Sequence, residues 1–326
     1  MAPIEFTPDP SPLGEGHSKL STTGSIRFRN LEAVLEGQAP WSWPAGFRRN
    51  DPLDARIQVT AELIRVDEAS DTGLLDPART KGTATGTIRI GGTLDEPRTE
   101  GDLTVENADV ALKGFQTGLT GLSAEVRLRG TRLEAKATSG GTRGGRMDAQ
   151  AQVELPNLAD LVSSLGRGRL DDLLRSGVSG SIRADQFGLL HRDPSFGSVR
   201  GQIGADLAIQ GSLRTPVLAG TAALRSLDLE LALGEPVAAQ PLALPVDPRF
   251  DIRFELPGSA RFRTFSADMR LAGEGTLRGR LVAPELEGDL RVQEGTIRLP
   301  NARIALDEDG TVRPSFRLGD PQTGSM

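Results

Sequence analysis

One phrase occurs three times in this chain of 326 residues: Gly-x-Leu-x-x-Pro-x-x-x-Gly, followed by two apolar residues spaced two positions apart. Proline cannot donate to a β-ladder, so it belongs at a turn or at the end of a strand. The second glycine either relieves φ or lets another backbone approach closely. Each copy therefore predicts a strand, a turn and a return strand, and the recurrence favours stacked units over one compact globule. The copies are Gly92, Pro97 and Gly101; Gly211, Pro216 and Gly220; and Gly279, Pro284 and Gly288.

Apolar and polar residues alternate with period two through much of the remaining sequence, which is typical of strands with one buried and one wet face. Clear examples are the segments 57–63, 147–155, 252–256 and 265–271. Aromatic residues make up only 4% of the chain, and tyrosine is absent. This composition suits an extended sheet of Leu, Val, Ile and Ala better than a thick core. The sequence predicts an all-β fold built on an antiparallel sheet.

Charge and residue content exclude several classes of function. The net charge is −6 and the arginines are scattered, which argues against a nucleic-acid surface. Cysteine is absent, and the only histidines, His17 and His191, lack a companion at metal-ligand spacing. The acidic run 307–310 is interpreted as a solvated turn, since it lacks the ligand spacing of a calcium loop. We expect no enzyme activity, no metal and no cofactor.

Pattern changes divide the chain into five segments. One short helical insertion is predicted at 157–176, where Asn157 could cap a helix and leucines recur at three and four positions. The predicted segments are 1–56, loop-rich with the first strands; 57–156, sheet; 157–176, the insertion; 177–318, sheet; and 319–326, a tail. No run of 18 apolar residues exists, and the N-terminus does not resemble a signal peptide.

Several stretches resemble the C-terminal region of the TamB family, the translocation and assembly module proteins of the AsmA-like group. The resemblance extends over about 80–310, and we expect the chain to be a fragment or a shortened member. The matching stretches are 90–97 with 101–103; 209–216 with Gly220; 277–281 continuing to Gly288 and 294–297; and 139–141 before 147–153.

The resemblance implies a long, curled, taco-like antiparallel sheet with a hydrophobic groove. It also implies a bacterial envelope protein on the periplasmic side, anchored in the inner membrane through a segment that is absent from this sequence. The implied partners are phospholipid and an outer-membrane barrel of the Omp85 class. The implied roles are lipid transport between membranes and the assembly or secretion of outer-membrane proteins.

The groove interpretation also has a basis in the residues themselves, because a sheet with one apolar face must cover that face. It can pack on a second sheet, close into a barrel or curl into an open groove. Two alternatives therefore stay open: a structural β-solenoid or adhesin-like repeat protein with a filled core, and a carbohydrate-active β-helix enzyme. The predicted groove-lining residues are Leu103, Val105, Met147, Ala149, Ala151, Val153, Leu155, Ile252, Phe254, Leu256, Phe265, Met269 and Leu271.

Overall fold

The structure is a computed structural model. It describes residues 18–28, 31–41, 54–63, 75–93, 96–112, 116–156, 174–193, 197–231, 246–281, 283–299, 301–306, 311–312 and 315–317. Of the predicted helical insertion, 157–173 lie outside these residues, as do the acidic run 307–310 and the tail 319–326.

Strands account for nearly all of the described residues, which confirms the all-β prediction. The first eight are β1 Ser18–Phe28, β2 Leu31–Trp41, β3 Asp54–Glu62, β4 Thr83–Gly92, β5 Pro97–Ala111, β6 Gly118–Arg129, β7 Arg132–Gly141 and β8 Arg146–Glu154. The others are β9 Gly177–Asp193, β10 Gly197–Ser212, β11 Pro216–Leu231, β12 Arg249–Arg263, β13 Ala267–Arg280, β14 Ala283–Leu299, β15 Ala302–Leu306, β16 Thr311–Val312 and β17 Ser315–Arg317. In the described part of the chain, no helix has the length and apolar character needed to cross a membrane.

The chain divides into two units. Unit 1 comprises Met1–Val110, Gly121–Ala137 and Gln152–Ser176, and unit 2 comprises Ala111–Thr120, Thr138–Ala151 and Gly177–Met326. In unit 1, strands β1 to β4 each pair antiparallel with the next strand along the chain. The connections from β1 to β2 and from β4 to β5 are short and return the chain directly alongside itself, as in a meander.

Unit 2 contains one pairing that differs from the predicted antiparallel arrangement. Strands β9, β10 and β11 pair antiparallel, and so do β12, β13 and β14, but β11 and β12 are parallel. A parallel pair requires the chain to return to its starting end through a long connection. The Pro-rich segment 232–248 provides that connection, and residues 232–245 of it lie outside the described part. Strands β15, β16 and β17 all pair along β14.

All three copies of the repeated phrase form the predicted turn between paired strands. The first glycine lies directly opposite the proline in each copy: Gly92 opposite Pro97, Gly211 opposite Pro216 and Gly279 opposite Pro284. The first glycines have φ values of 87°, 111° and 90°, a region that L side chains rarely adopt. The phrase is therefore a turn signal whose first position requires glycine.

Candidate functional site

An apolar face extends across six neighbouring strands of unit 2, from β9 to β14. Strand pairing aligns its residues in rows that cross the strands, and six strands at about 4.8 Å spacing give each row a length of about 24 Å. The middle row is Ala184, Ala205, Ala222, Phe254, Gly275 and Gly288. One flanking row is Ile182, Leu207, Gly220, Ile252, Leu277 and Leu286. On the other side lie Ile203, Leu224, Leu256 and Leu290.

The side chains of the middle row extend less far from the sheet than those of the flanking rows, because most of them are small. Ala184, Ala205 and Ala222 extend one carbon from the backbone, whereas leucine and isoleucine extend further on both sides. Phe254 would interrupt the row, but its ring lies over Gly275, the residue opposite it on β13. A Cβ at Gly275 would come 2.3 Å from Cζ of Phe254, so only glycine leaves room for the ring in this position.

The most buried part of this face is a cluster on β12, β13 and β14. Phe254 is 8% exposed and Val292 is 3% exposed, and Leu256, Leu271 and Leu290 are similarly buried. The residues packed against the cluster come from β11 to β15, the neighbouring strands of the same sheet. Among the described residues, no large side chain falls below 2% exposure. The apolar face of unit 2 is thus covered mainly by its own neighbours and stays partly open.

Unit 1 has a corresponding apolar face on β3, β4 and β5. Its rows include Ile57, Ile88 and Gly101, followed by Val59, Gly86 and Leu103, and by Ala61, Ala84 and Val105. Val105 packs with Ala84 and Ala108, and Leu103 lies against this cluster. The alternate residues on these strands are mostly exposed polar side chains. Both units therefore contain the two-faced strands that the sequence predicts.

Seven of the predicted lining residues lie on the apolar faces just described. Leu103 and Val105 are on the apolar face of unit 1. On the apolar face of unit 2, Ile252 is half-buried, while Phe254, Leu256 and Leu271 are buried core residues and Met269 packs against them.

The predicted lining residues of 147–155 lie on β8 or just beyond it. Val153 is buried, and Met147, Ala149, Ala151 and Leu155 are half-buried. The period-two alternation of burial along β8 agrees with the predicted alternation of faces.

Phe265 does not line either face, and this part of the prediction is wrong. It lies in the turn between β12 and β13 and is 91% exposed. The Thr264 side-chain oxygen accepts hydrogen bonds from the backbone N–H groups of Ser266 and Ala267, at 3.2 and 2.9 Å. Phe265 and Met269 are separated by an even number of positions, which would place them on the same face of a continuous strand. The turn interrupts the strand, so this rule does not apply to Phe265.

Sequence reasoning missed the small residues of the middle row on the unit 2 face. Ala184, Ala205, Ala222 and Gly275 are small residues that do not stand out in a hydrophobic pattern. Their alignment depends on the pairing register of five different strands. The nearest signal in the sequence was the alternation of apolar residues along each strand, which places each residue on a face but does not align the strands.

Opposite charges pair across the strands on the polar face of unit 2. Arg270 and Glu294 lie 2.9 Å apart, and the Arg263 guanidinium lies 2.9 Å from Asp228. Exposed pairs of this kind contribute little individually, but they favour correct pairing over like-charge alternatives. Arg261 donates two hydrogen bonds to Asp268, at 2.9 and 2.7 Å, and these bonds lower the pKa of Asp268 below its ordinary value.

We expect the Asp268→Asn variant to be slightly less stable than the wild type at neutral pH. The pKa of Asp268 is lower in the folded state than in the unfolded state. Its contribution to the free energy of unfolding is therefore complete above the unfolded-state pKa of about 3.9 and is lost as the pH falls through the folded-state pKa. The measurement is urea unfolding of both proteins from pH 7 to pH 2. Arg261→Gln should reproduce the pattern, and a stability difference that persists undiminished at pH 2 would contradict it.

A depression of about 520 Å³ lies on the polar face of unit 1. Its walls include Thr60, Thr85, Thr87, Arg89 and Asp102. The hydroxyl oxygens of Thr85 and Thr104 are 3.2 Å apart across β4 and β5. Hydroxyls and charges would disfavour an acyl chain there, so this depression is distinct from the apolar faces.

The apolar faces can make hydrophobic contacts, which have no preferred direction. Their rows contain aliphatic residues, glycine and Phe254, with no titratable side chain among the residues named above. Within the described ranges, no group of three or more His, Asp or Glu residues could hold a metal ion. Such faces can remove hydrocarbon from water, but they offer no group to activate a reaction.

The strands have one apolar and one charged face, pair largely antiparallel and leave the apolar face partly uncovered. These features define a class of β-sheet proteins with a partly open hydrophobic surface. The family described as TamB C-terminal domain matches residues 25–226, more than half of the chain. The chain therefore belongs to the TamB C-terminal domain family, as the sequence predicted. The match includes the first two copies of the repeated phrase, and the third copy lies beyond it.

Membership of this family supports a TamB-like protein of the cell envelope. No curated protein matches the chain. No solved structure matches it either.

Proposed function

We propose that this protein binds phospholipid acyl chains on the apolar faces of its sheet and so serves lipid transport between membranes. The observation that carries the proposal is the low middle row of unit 2, bordered on both sides by larger aliphatic side chains. Burying hydrocarbon contributes about 0.8 kcal/mol for each CH₂ group, so a long acyl chain could be held without any polar contact.

The absence of polar groups in these rows favours movement over tight storage. A hydrogen bond would fix one atom of a ligand, whereas aliphatic contact is roughly equal at every position along a row. An acyl chain could therefore shift from strand to strand with little change in free energy. Family membership supports the same interpretation, because it places the chain in the cell envelope, where phospholipid is abundant.

The remaining elements of the proposal concern partners and location. We propose the periplasmic side of the envelope as the site of action and an Omp85-class outer-membrane barrel as a protein partner. In that setting the apolar faces could also serve the assembly or secretion of outer-membrane proteins, since unfolded strands present apolar side chains too. We propose no catalytic activity.

The test is native mass spectrometry with lipid extraction on the purified protein. Leu207→Asp introduces a charge on the apolar face of unit 2, and Ala208→Asp introduces the same charge on the opposite face of the same strand. Leu207 is half-buried and Ala208 is exposed. We expect co-purified phospholipid in the wild type and in Ala208→Asp, and a large loss in Leu207→Asp while β-rich circular dichroism persists.

Two outcomes would count against the proposal. A folded wild-type protein that carries and accepts no phospholipid would favour the structural repeat protein with a filled core. Equal lipid loss in both aspartate variants would show that the apolar face is not the binding surface.

A further inference from the structure

One end of the unit 2 sheet exposes an apolar tip. The turn between β12 and β13 places Phe265 at 91% exposure, and at the same end Leu299 and Ile304 are 49% and 45% exposed. The pairing of Ala267 with Ile297 shows that the turn and the last residues of β14 reach the same end of the sheet. We call Phe265, Arg298, Leu299, Arg303 and Ile304 the docking end.

The turn holds Phe265 in place. The Thr264 backbone N–H donates to the carbonyl of Ala267 at 2.7 Å, and the Thr264 hydroxyl oxygen accepts from the backbone N–H groups of Ser266 and Ala267. The backbone N–H of Arg298 donates to the carbonyl of Ser266 at 2.7 Å, which ties β14 to the turn. The exposed ring is therefore presented by a turn that four hydrogen bonds within the chain hold in place.

Two arginines lie at the same end in an arrangement that is unfavourable for the isolated protein. Arg298 and Arg303 are directly opposite each other on β14 and β15, and both are exposed. Like charges in this position destabilise a strand pair. The pairs on either side are Ile297 with Ile304 and Leu299 with Ala302, so the last three pairs of this hairpin contain no acid. The nearby Asp268 already accepts two hydrogen bonds from Arg261.

We propose that the docking end binds the surface of an anionic phospholipid bilayer. A phenyl ring at the tip of a turn can enter the boundary between head groups and acyl chains, where removal of its apolar surface from water is favourable. Leu299 and Ile304 would follow it, while Arg298 and Arg303 on the opposite face of the hairpin reach lipid phosphates. Anionic lipid also offsets the repulsion between the two arginines. None of these five residues belongs to the apolar rows, so the inference does not depend on acyl-chain binding there.

The experiment is co-sedimentation of the full chain with vesicles of phosphatidylcholine alone and of phosphatidylcholine mixed with phosphatidylglycerol. We expect binding to the anionic vesicles, weakened by salt because screening shortens the reach of the arginine charges. Phe265→Ser should weaken binding about tenfold, which corresponds to about 1.4 kcal/mol. Leu281→Ser is the matched control, since Leu281 is 40% exposed in the turn at the other end of β13. It should bind like the wild type.

Further variants separate the possible causes. Replacing Arg298 and Arg303 together by glutamine should remove the preference for anionic vesicles. Leu207→Asp should leave vesicle binding intact, so that failure of the acyl-chain proposal can be distinguished from failure of this one. The inference is overturned if the wild type does not bind anionic vesicles, or if Phe265→Ser and Leu281→Ser bind equally well. It is also overturned if Phe265→Ser instead abolishes a dimer seen by sedimentation velocity, which would make the docking end a contact between copies.

Discussion

Phe254→Ala is expected to destabilise β12–β14 by about 3 kcal/mol. This effect is near the low end of the range for truncating a buried phenylalanine, because the apolar face of unit 2 stays partly open. Phe254 is 8% exposed and packs among Leu256, Leu271 and Leu290. Its ring also covers the backbone at Gly275, so truncation uncovers part of β13 and leaves a gap in the cluster.

Phe265→Ala is the matched control for this prediction. It removes the same side chain from a site that is 91% exposed, and surface changes of this kind usually alter stability by less than about 0.5 kcal/mol. Because the chain has two units, the suitable measurement is amide hydrogen exchange on β12, β13 and β14 rather than one global melting curve. Equal loss of protection in the two variants would contradict the prediction.

Gly220→Ala is expected to destabilise β11 by about 3 kcal/mol, combining a strained φ with a steric clash. Gly220 has a φ of 148°, and a Cβ there would come 2.2 Å from the carbonyl oxygen of Asp206 on β10. The alanine variant could be accommodated only if β10 and β11 moved apart. Since Gly220 lies in a row between Leu207 and Ile252, that movement would also disturb the apolar face.

Gly288 provides the control from within the repeated phrase. It occupies the same position of the phrase as Gly220, but a Cβ there would lie 3.4 Å from the carbonyl oxygen of Glu274 and 3.7 Å from Leu290. Gly288→Ala should therefore change stability by less than about 0.5 kcal/mol, since alanine also restricts the unfolded chain. The measurements are urea unfolding of the two variants and amide hydrogen exchange on β11 and β14, which compare their stabilities. The prediction fails if both glycines tolerate alanine equally.

These two predictions bear on the proposed function through the same rows of residues. Phe254 belongs to the middle row, and Gly275 leaves room for its ring. A variant that moves the ring would change the height of the middle row as well as the stability of the cluster. Stability and lipid content should therefore be measured on the same preparations.

The sequence by itself determined the local features of this protein. Period-two alternation placed Ile252, Phe254 and Leu256 on one face, because successive side chains of a strand point to opposite sides. The repeated phrase located three turns, since proline and glycine restrict the backbone without reference to distant residues. The phrase and several other stretches indicated the family, which the match over 25–226 confirmed.

Only the tertiary structure decided how the strands align. Asn107, Gln186 and Ser226 have φ values near 50°, and the pairing register shifts beside Gln186 and Ser226. Such irregularities change which parity faces the apolar side. On β9, Ala184 faces the apolar side opposite Ala205, and Phe187 faces the same side opposite Ile203. One of these positions is even and the other odd, so a strict period of two does not hold across the irregularity. Period-two alternation also does not predict the parallel pairing of β11 with β12 or the position of Phe265 in a turn. The reason is physical: alternation is a property of one strand, whereas register, bulges and the choice of neighbour depend on contacts between residues far apart in the chain.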